Sequence, residues 1–346
     1  MKKALVLGGS GQLGIAVAEQ LVDAEWRVFT AARSGRAPPP DLTRRGVVAL
    51  DSPSGPVSEV LRSSGAVYDA VFVPTAYSAK DASDLLRVKD RFNSLVVVSS
   101  ASVYADEHGR SLDEAAEGGF PDFEGAIGED TRTVEPGDAT YSTRKVAMER
   151  ELLDDGLPVS ILRPCAIYGK FARHPREWWV VKRVLDRRAS IPVAYNADSL
   201  FHTSSVRSIA TLAQICMEHP ATRMLNVADP TALSVRQIAE AIGAALDAEV
   251  HLHPFAGAPR GLSRVGGTPW STERPFVLDV ARARKTGWDS GEEYMTAVSH
   301  VCDWLVATAI GGDWHEHFTA FAGYGYDPFD YVAEDQFMQG TGGRLP

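Results

Sequence analysis

Lys3-Ala-Leu-Val-Leu-Gly-Gly-Ser-Gly-Gln-Leu-Gly14 (KALVLGGSGQLG) is the stretch whose reading decides the fold. An apolar run without polar alternation meets glycine at Gly8, and helical spacing begins directly behind it, with Leu13, Val17 and Leu21 one turn apart. The glycines fall as Gly8-x-x-Gly11-x-x-Gly14 between a strand and a helix. Glycine is required there for a tight turn, for close backbone approach to a pyrophosphate, and for packing of helix on sheet. The N–H groups of the new helix then face the anion. In this strand–turn–helix setting Gly8, Ser10, Gly11, Gln12, Leu13 and Gly14 read as a dinucleotide-binding loop.

Working outward, the same grammar repeats. "WRVFTAA", "GVVAL", "YDAVFVPTA" and "SLVVVSSASVY" are further apolar runs that lack alternation, as expected of strands buried on both faces of a parallel sheet. Helical patterns lie between them, so the fold class is α/β: a Rossmann-type doubly wound parallel sheet, with a smaller C-terminal α/β substrate domain. The expected boundaries are 1–165 for the dinucleotide-binding domain and 166–310 for a mainly substrate-binding domain that returns some strands and helices to the first sheet. An aromatic and Gly-rich tail occupies 311–346, either wrapped on the body or loose. Residues 105–140 hold 11 acidic side chains against Arg110 and Arg132 and show no periodicity. They read as a long surface loop, either a lid or a solvated insert.

Composition narrows the function. A net charge of −10 argues against a nucleic-acid partner, which needs a basic footprint. No apolar run reaches the length of a membrane span. The N-terminal apolar run is too short for a signal peptide and breaks at Gly8, so a cytoplasmic location is expected. Cys165, Cys216 and Cys302 are far apart, which fits small buried hydrophobes rather than disulfides or a thiolate zinc site, and no other cluster has metal-ligand spacing.

In a doubly wound sheet ligands sit at the carboxyl ends of strands. The second strand ends in Thr30-Ala-Ala-Arg33-Ser-Gly-Arg36, with Arg33 and no carboxylate where an NAD site commonly has one. A guanidinium there pairs with a 2′-phosphate, so NADP(H) is favoured over NAD(H). Asp51 follows the third strand and either accepts from the adenine amino group or caps its loop. Val73, Pro74 and Thr75 end the fourth strand on the cofactor side, and Ser99, Ser100 and Ser102 follow the fifth. Downstream, Tyr141 and Lys145 stand four apart on a helix, so phenol and ammonium share one face. A neighbouring Lys⁺ and a nicotinamide cation are expected to favour the phenolate and lower the phenol's pKa toward acid/base use.

These motifs, together with "LRPCAIYGK", resemble the short-chain dehydrogenase/reductase superfamily, in its extended or atypical branch, the NAD-dependent epimerase/dehydratase family. The resemblance spans roughly residues 1–310 and implies Ser100 as the substrate-orienting serine with Ser102 as substitute. It implies Tyr141 as acid/base, Lys145 as the ribose-binding lysine, and Arg163, Pro164 and Ile167 as packing or nicotinamide contacts. Trp178 and His202 fall where the family meets substrate, although Trp178 also suits core packing. Two departures stand out: Ala101-Ser102 where the dehydratases have an acidic pair, and Cys165-Ala166 where sugar-nucleotide epimerases often have Asn.

The favoured expectation is therefore an NADP(H)-dependent reductase or dehydrogenase of a small carbonyl or alcohol. A nucleotide-sugar epimerase with retained NAD and a non-catalytic dinucleotide-binding protein are the alternatives. A small-molecule substrate is implied, and the resemblance admits a homodimer.

Overall fold

The computed structural model describes residues 1–32, 37–51, 56–289, 291–310 and 312–341. The chain divides into two units. The first comprises Met1–Ile167, Val206–Ala228 and Leu278–Gly291, and the second Tyr168–Ser205, Asp229–Val277 and Glu292–Pro346.

The first unit is a wholly parallel seven-stranded sheet. Its strands are β1 (Lys3–Leu7), β2 (Arg27–Ala31), β3 (Val48–Ala49), β4 (Ala70–Val73), β5 (Leu95–Val98), β6 (Val159–Pro164) and β7 (Arg223–Val227). In space they run β7-β6-β5-β4-β1-β2-β3. The order reverses between β1 and β4, and in open α/β sheets that switch point opens a crevice at the carboxyl ends. The unalternating runs are the central strands: Leu5, Val71, Val97 and Ile161 are each 1 % exposed or less in one core. The short edge strand β3 is exposed on both residues.

Helices α1 (Gln12–Asp23), α2 (Val57–Ser63), α3 (Ala79–Leu86), α4 (Tyr141–Asp154) and α5 (Val206–Glu218) cover the sheet. α1 packs with α5, and α3 with α4. Ser78 and Thr140 start α3 and α4 with reciprocal capping boxes, and each box fixes where its helix begins. A buried ion pair ties α4 to β6: Arg163 Nε donates to Glu149 Oε1 at 2.9 Å, and both side chains are 3 % exposed.

The acidic stretch 105–140 is pinned into this unit rather than left as a lid. The Asp106 side chain is 1 % exposed and accepts from the backbone N–H groups of His108, Arg110 and Asp122 and from Arg110 Nε. Glu129 Oε1 accepts from Asn226 N at 2.8 Å, and Asn226 Nδ2 donates to the carbonyls of Ile127 and Asp279. The Tyr104 hydroxyl donates to Asn226 Oδ1 at 2.6 Å. The periodicity is missing because the segment is held by side chain–backbone bonds instead of a regular ladder.

The second unit packs three helices, Trp178–Leu185, Val235–Ala245 and Tyr294–Ile310, with a parallel pair, Ile191–Val193 and Leu252–Pro254. The aromatic tail belongs to it. Arg183, 1 % exposed, donates to Glu334 and to the Pro328 carbonyl. No helix among the described residues is long and apolar enough to cross a membrane.

Asp106 sets a test. Burial pushes its carboxyl up, but the hydrogen bonds from Asp122, Arg110 N and the Arg110 side chain outweigh that and hold it down at about 2, against an ordinary 3.8. A depressed folded-state pKa contributes stability above the ordinary value, and that stability is lost as pH falls through the folded one. Asp106→Asn is expected to lower the urea midpoint at pH 7, with the gap to wild type narrowing between about pH 4 and pH 2. A gap that stays constant to pH 2 would show the carboxylate to be electrostatically idle.

Candidate active site

The loop behind β1 is built for close approach. Gly8 has φ +67°, and a Cβ there would stand 3.2 Å from Thr75 Cγ2. A Cβ on Gly9 would come within 2.5 Å of Thr30 Cβ, and one on Gly14 would collide with the Gly8 carbonyl. Gly11 N donates to Gly8 O at 2.9 Å, which tightens the turn onto the start of α1. No side chain caps that helix, so its first N–H groups face the loop. Two buried polar atoms, Gln12 Oε1 and Ser99 Oγ, have no hydrogen-bond partner among the described residues.

A cavity of about 570 Å³ opens beside this cradle, lined by Leu7, Gly8, Ala31, Val73, Thr75 and Ala76 at the strand ends. Pro56, Val57 and Val60 wall it toward α2, and Lys80, Asp84, Leu85 and Arg87 toward α3. An N-terminus that attracts anions, glycines with no room for a Cβ, unpartnered buried polar atoms and a cavity with both apolar and charged walls together fit a dinucleotide. Arg33, with Ser34, Gly35 and Arg36, lies outside the described residues, so the sequence-based preference for NADP(H) gains nothing here. Asp51 is exposed beside the edge strand. Pro164 is buried at the end of β6, and Ile167 is half-buried just beyond it. Arg163 is a packing residue: it pairs with Glu149 and lies 5.0 Å from the centre of the Tyr104 ring.

Next to the cradle, Tyr141 opens α4 and Lys145 follows one turn later. Lys145 is 1 % exposed, and its Nζ donates to the carbonyls of Ala76 at 2.7 Å and Val98 at 2.8 Å. The ammonium is therefore fastened between the ends of β4 and β5. Burial draws its pKa down to about 8, against opposing pulls from Glu149 and Asp81. Ser100 Oγ accepts from Ser102 N at 3.1 Å, and Ser142 Oγ donates to Ser102 Oγ at 2.8 Å. Ser102 is thereby committed to bracing the serine turn against α4. Asp113, from the acidic stretch, accepts from Ser142 N at 2.7 Å.

In the protein alone the Tyr141 pKa is raised rather than lowered. Tyr141 is 40 % exposed as a residue, yet its phenol oxygen is deep among protein atoms, and burial pushes it up to about 12. The neighbouring Tyr77 phenol raises it further, Ser100 lowers it, and Asp113 raises it again. Lys145 is occupied by its two carbonyls and sits 5.7 Å from the Tyr141 ring centre.

The remaining predicted contacts belong to the second unit. Trp178, 2 % exposed, packs against Trp314 and Phe318 at ring distances of 5.7 and 5.1 Å, which is the core-packing one of its two expected roles. His202 is 4 % exposed, and its Nε2 donates to the Asp229 carbonyl at 3.0 Å. Burial draws its pKa down to about 4, so it is a neutral, structural imidazole at pH 7. The sequence reading missed Tyr77 and Asp113. Tyr77 carried a signal, being one residue past "VPTA" at a strand end. Asp113 carried none, because nothing in an aperiodic stretch says which carboxylate reaches a helix 29 residues on.

A family model, NAD dependent epimerase/dehydratase family, matches residues 4–228. No curated protein matches the sequence significantly. Among solved structures, a UDP-glucose 4-epimerase from Stenotrophomonas maltophila with bound NAD and formylated UDP-arabinopyranose aligns at a TM-score of 0.67 with 14 % identity, covering 90 % of this chain and 100 % of the other. A second UDP-glucose 4-epimerase gives 0.66 and 18 %, with the same coverages. A dTDP-glucose 4,6-dehydratase from Bacillus anthracis in complex with NAD gives 0.64 and 13 %, covering 89 % and 97 %. At these identities the likeness establishes the Rossmann-type fold.

Gly9→Ala tests the cradle. The added methyl meets Thr30. Binding of NADH and NADPH, followed by fluorescence, is expected to weaken by roughly tenfold or more, with Tm lowered by only a few degrees. Unchanged affinity for both would remove the loop from the site.

Proposed function

The chain belongs to the NAD dependent epimerase/dehydratase family, and on that premise we propose that it is an epimerase that retains NAD and inverts one carbinol carbon of a nucleotide-linked sugar. The observation that carries the hydride chemistry is the meeting of Ser100, Tyr141 and Lys145 at the ends of β4 and β5, beside a cradle that fits a dinucleotide. The choice of epimerase rests on the family and on the sugar-nucleotide epimerases among the similar structures. The family description and the NAD complexes among those structures support NAD(H) over NADP(H).

A bound nicotinamide supplies the acceptor for the hydride and returns it. The residues of this chain do the rest. Tyr141 takes the hydroxyl proton as the carbinol becomes a carbonyl, and gives it back when the carbon is reduced from its other face. Ser100 holds the oxygen on which that proton moves. Tyr141, raised to about 12, is a protonated phenol at neutral pH and so is set to donate. Taking a proton demands the phenolate, and the positive charge of an oxidised nicotinamide favours it. The oxidative half is therefore expected to accelerate as pH rises. Ala101 and Ser102 supply no acid for 4,6-dehydration.

One other reading has observations behind it. Arg33 in the sequence, and Cys165-Ala166 in place of the epimerases' Asn, favour an NADP(H)-dependent reductase of a small carbonyl compound.

The two readings separate experimentally. Dinucleotide released from the denatured protein is expected to be NAD. UDP-glucose or dTDP-glucose is expected to convert to its C4 epimer without net change at 340 nm. Steady NADPH consumption with a carbonyl substrate, and no epimer, would establish the reductase instead. Tyr141→Phe is expected to lose turnover by at least about a hundredfold, with dinucleotide affinity within roughly threefold of wild type. Full activity in that variant would remove Tyr141 from the role.

A further inference from the structure

Tyr77 follows directly on Ala76, whose carbonyl accepts from the Lys145 ammonium at 2.7 Å. Its own N–H donates to Asp81 Oδ2 at 2.8 Å, so the capping carboxylate of α3 fixes the backbone that carries it. The Tyr77 ring centre lies 4.7 Å from Lys145 Nζ, closer than the 5.7 Å of the Tyr141 ring. An ammonium has three N–H groups. Two go to Ala76 O and Val98 O, and the two ring faces close the remaining side, leaving Lys145 1 % exposed.

We propose that Tyr77 is a positioning residue of the proton-transfer site: its ring face holds the Lys145 ammonium in its charged form. The proposal deepens the functional reading above and rests on Lys145 and Tyr141 being its working pair.

The electrostatics agree with the geometry. A desolvated ammonium gains most from an aromatic face, because water no longer competes for it. The other charges around Lys145 are Glu149 from its own helix, already bound by Arg163, and Asp81 from α3. These raise the lysine's pKa while burial lowers it to about 8, so the amine sits close to losing its proton near neutrality, and a ring removed should be felt. Tyr77 is 42 % exposed, so its replacement removes little core packing.

The test reads the charge of Lys145 directly and needs no substrate. In the full chain labelled with [15Nζ]lysine, the Lys145 resonance is the one that disappears in Lys145→Arg, and its titration is followed from pH 6 to 10. Wild type is expected to titrate near pH 8. Tyr77→Phe keeps the ring face and should leave that midpoint within about 0.3 units, whereas Tyr77→Leu should lower it by about one unit, tenfold in the proton equilibrium. Tyr77→Met, similar in bulk and without a ring, repeats the measurement should the Leu variant fold poorly. A wild-type midpoint in a folded Leu or Met variant would overturn the proposal. Fluorescence titration with NADH and NADPH runs in parallel. A wild-type chain that releases no dinucleotide on denaturation and binds neither NADH nor NADPH, while its lysine midpoint still moves with Tyr77, would sink the functional reading and leave the positioning role standing.

Discussion

Lys145 Nζ donates to the Ala76 and Val98 carbonyls, and the rest of the site hangs on those two bonds. One carbonyl lies just past β4 and the other ends β5, so a single ammonium on α4 joins two neighbouring strand ends to the helix that carries Tyr141. The cost of burying a cation is met by the two carbonyls, two aromatic rings and the nearby carboxylates Asp81 and Glu149. Burial still draws its pKa to about 8. The same desolvation keeps Tyr141 a phenol. A lysine so placed cannot swing toward the tyrosine without abandoning its strands, which is why proximity in the helix does not translate into a lowered phenol pKa.

The acidic stretch works as the outer brace of that arrangement. Its most buried carboxylates are spent on backbone: Asp106 gathers its own turn, and Glu129 holds Asn226 at β7. Asp113 holds the N-terminus of α4 through Ser142 N, where a carboxylate also complements the helix dipole. Ser142 in turn reaches Ser102, and Ser102 N reaches Ser100. The charge of the segment, 11 acids against two arginines, suggested a solvated insert. Three of those carboxylates instead accept from backbone, Asp106 from three N–H groups and Glu129 and Asp113 from one each, where no ladder can.

The sheet was legible because all its strands but the edge strand β3 announce themselves in four to six neighbouring residues, and the reversal at β1 and β4 follows from the way such units pack. The glycine turn at the start of α1 and the placing of Tyr141 and Lys145 on one helix were legible for the same reason, each motif being local. For Trp178 and His202 the sequence left two readings open, because a bulky or titratable side chain looks alike in sequence whether it meets a ligand or a core. In the structure Trp178 packs on the rings of Trp314 and Phe318, and His202 bonds the carbonyl of Asp229.

What the sequence determined by itself is the parallel Rossmann-type sheet, the glycine turn behind its first strand and the pairing of the Tyr141 phenol with the Lys145 amine on one helix, because each is written in short-range periodicity and spacing. The tertiary structure alone decided how those groups are charged and held. Lys145 meets carbonyls 69 and 47 residues away, and Ser142 meets a carboxylate 29 residues back. Desolvation and hydrogen bonding act through space, between residues whose separation along the chain carries no record of their contact.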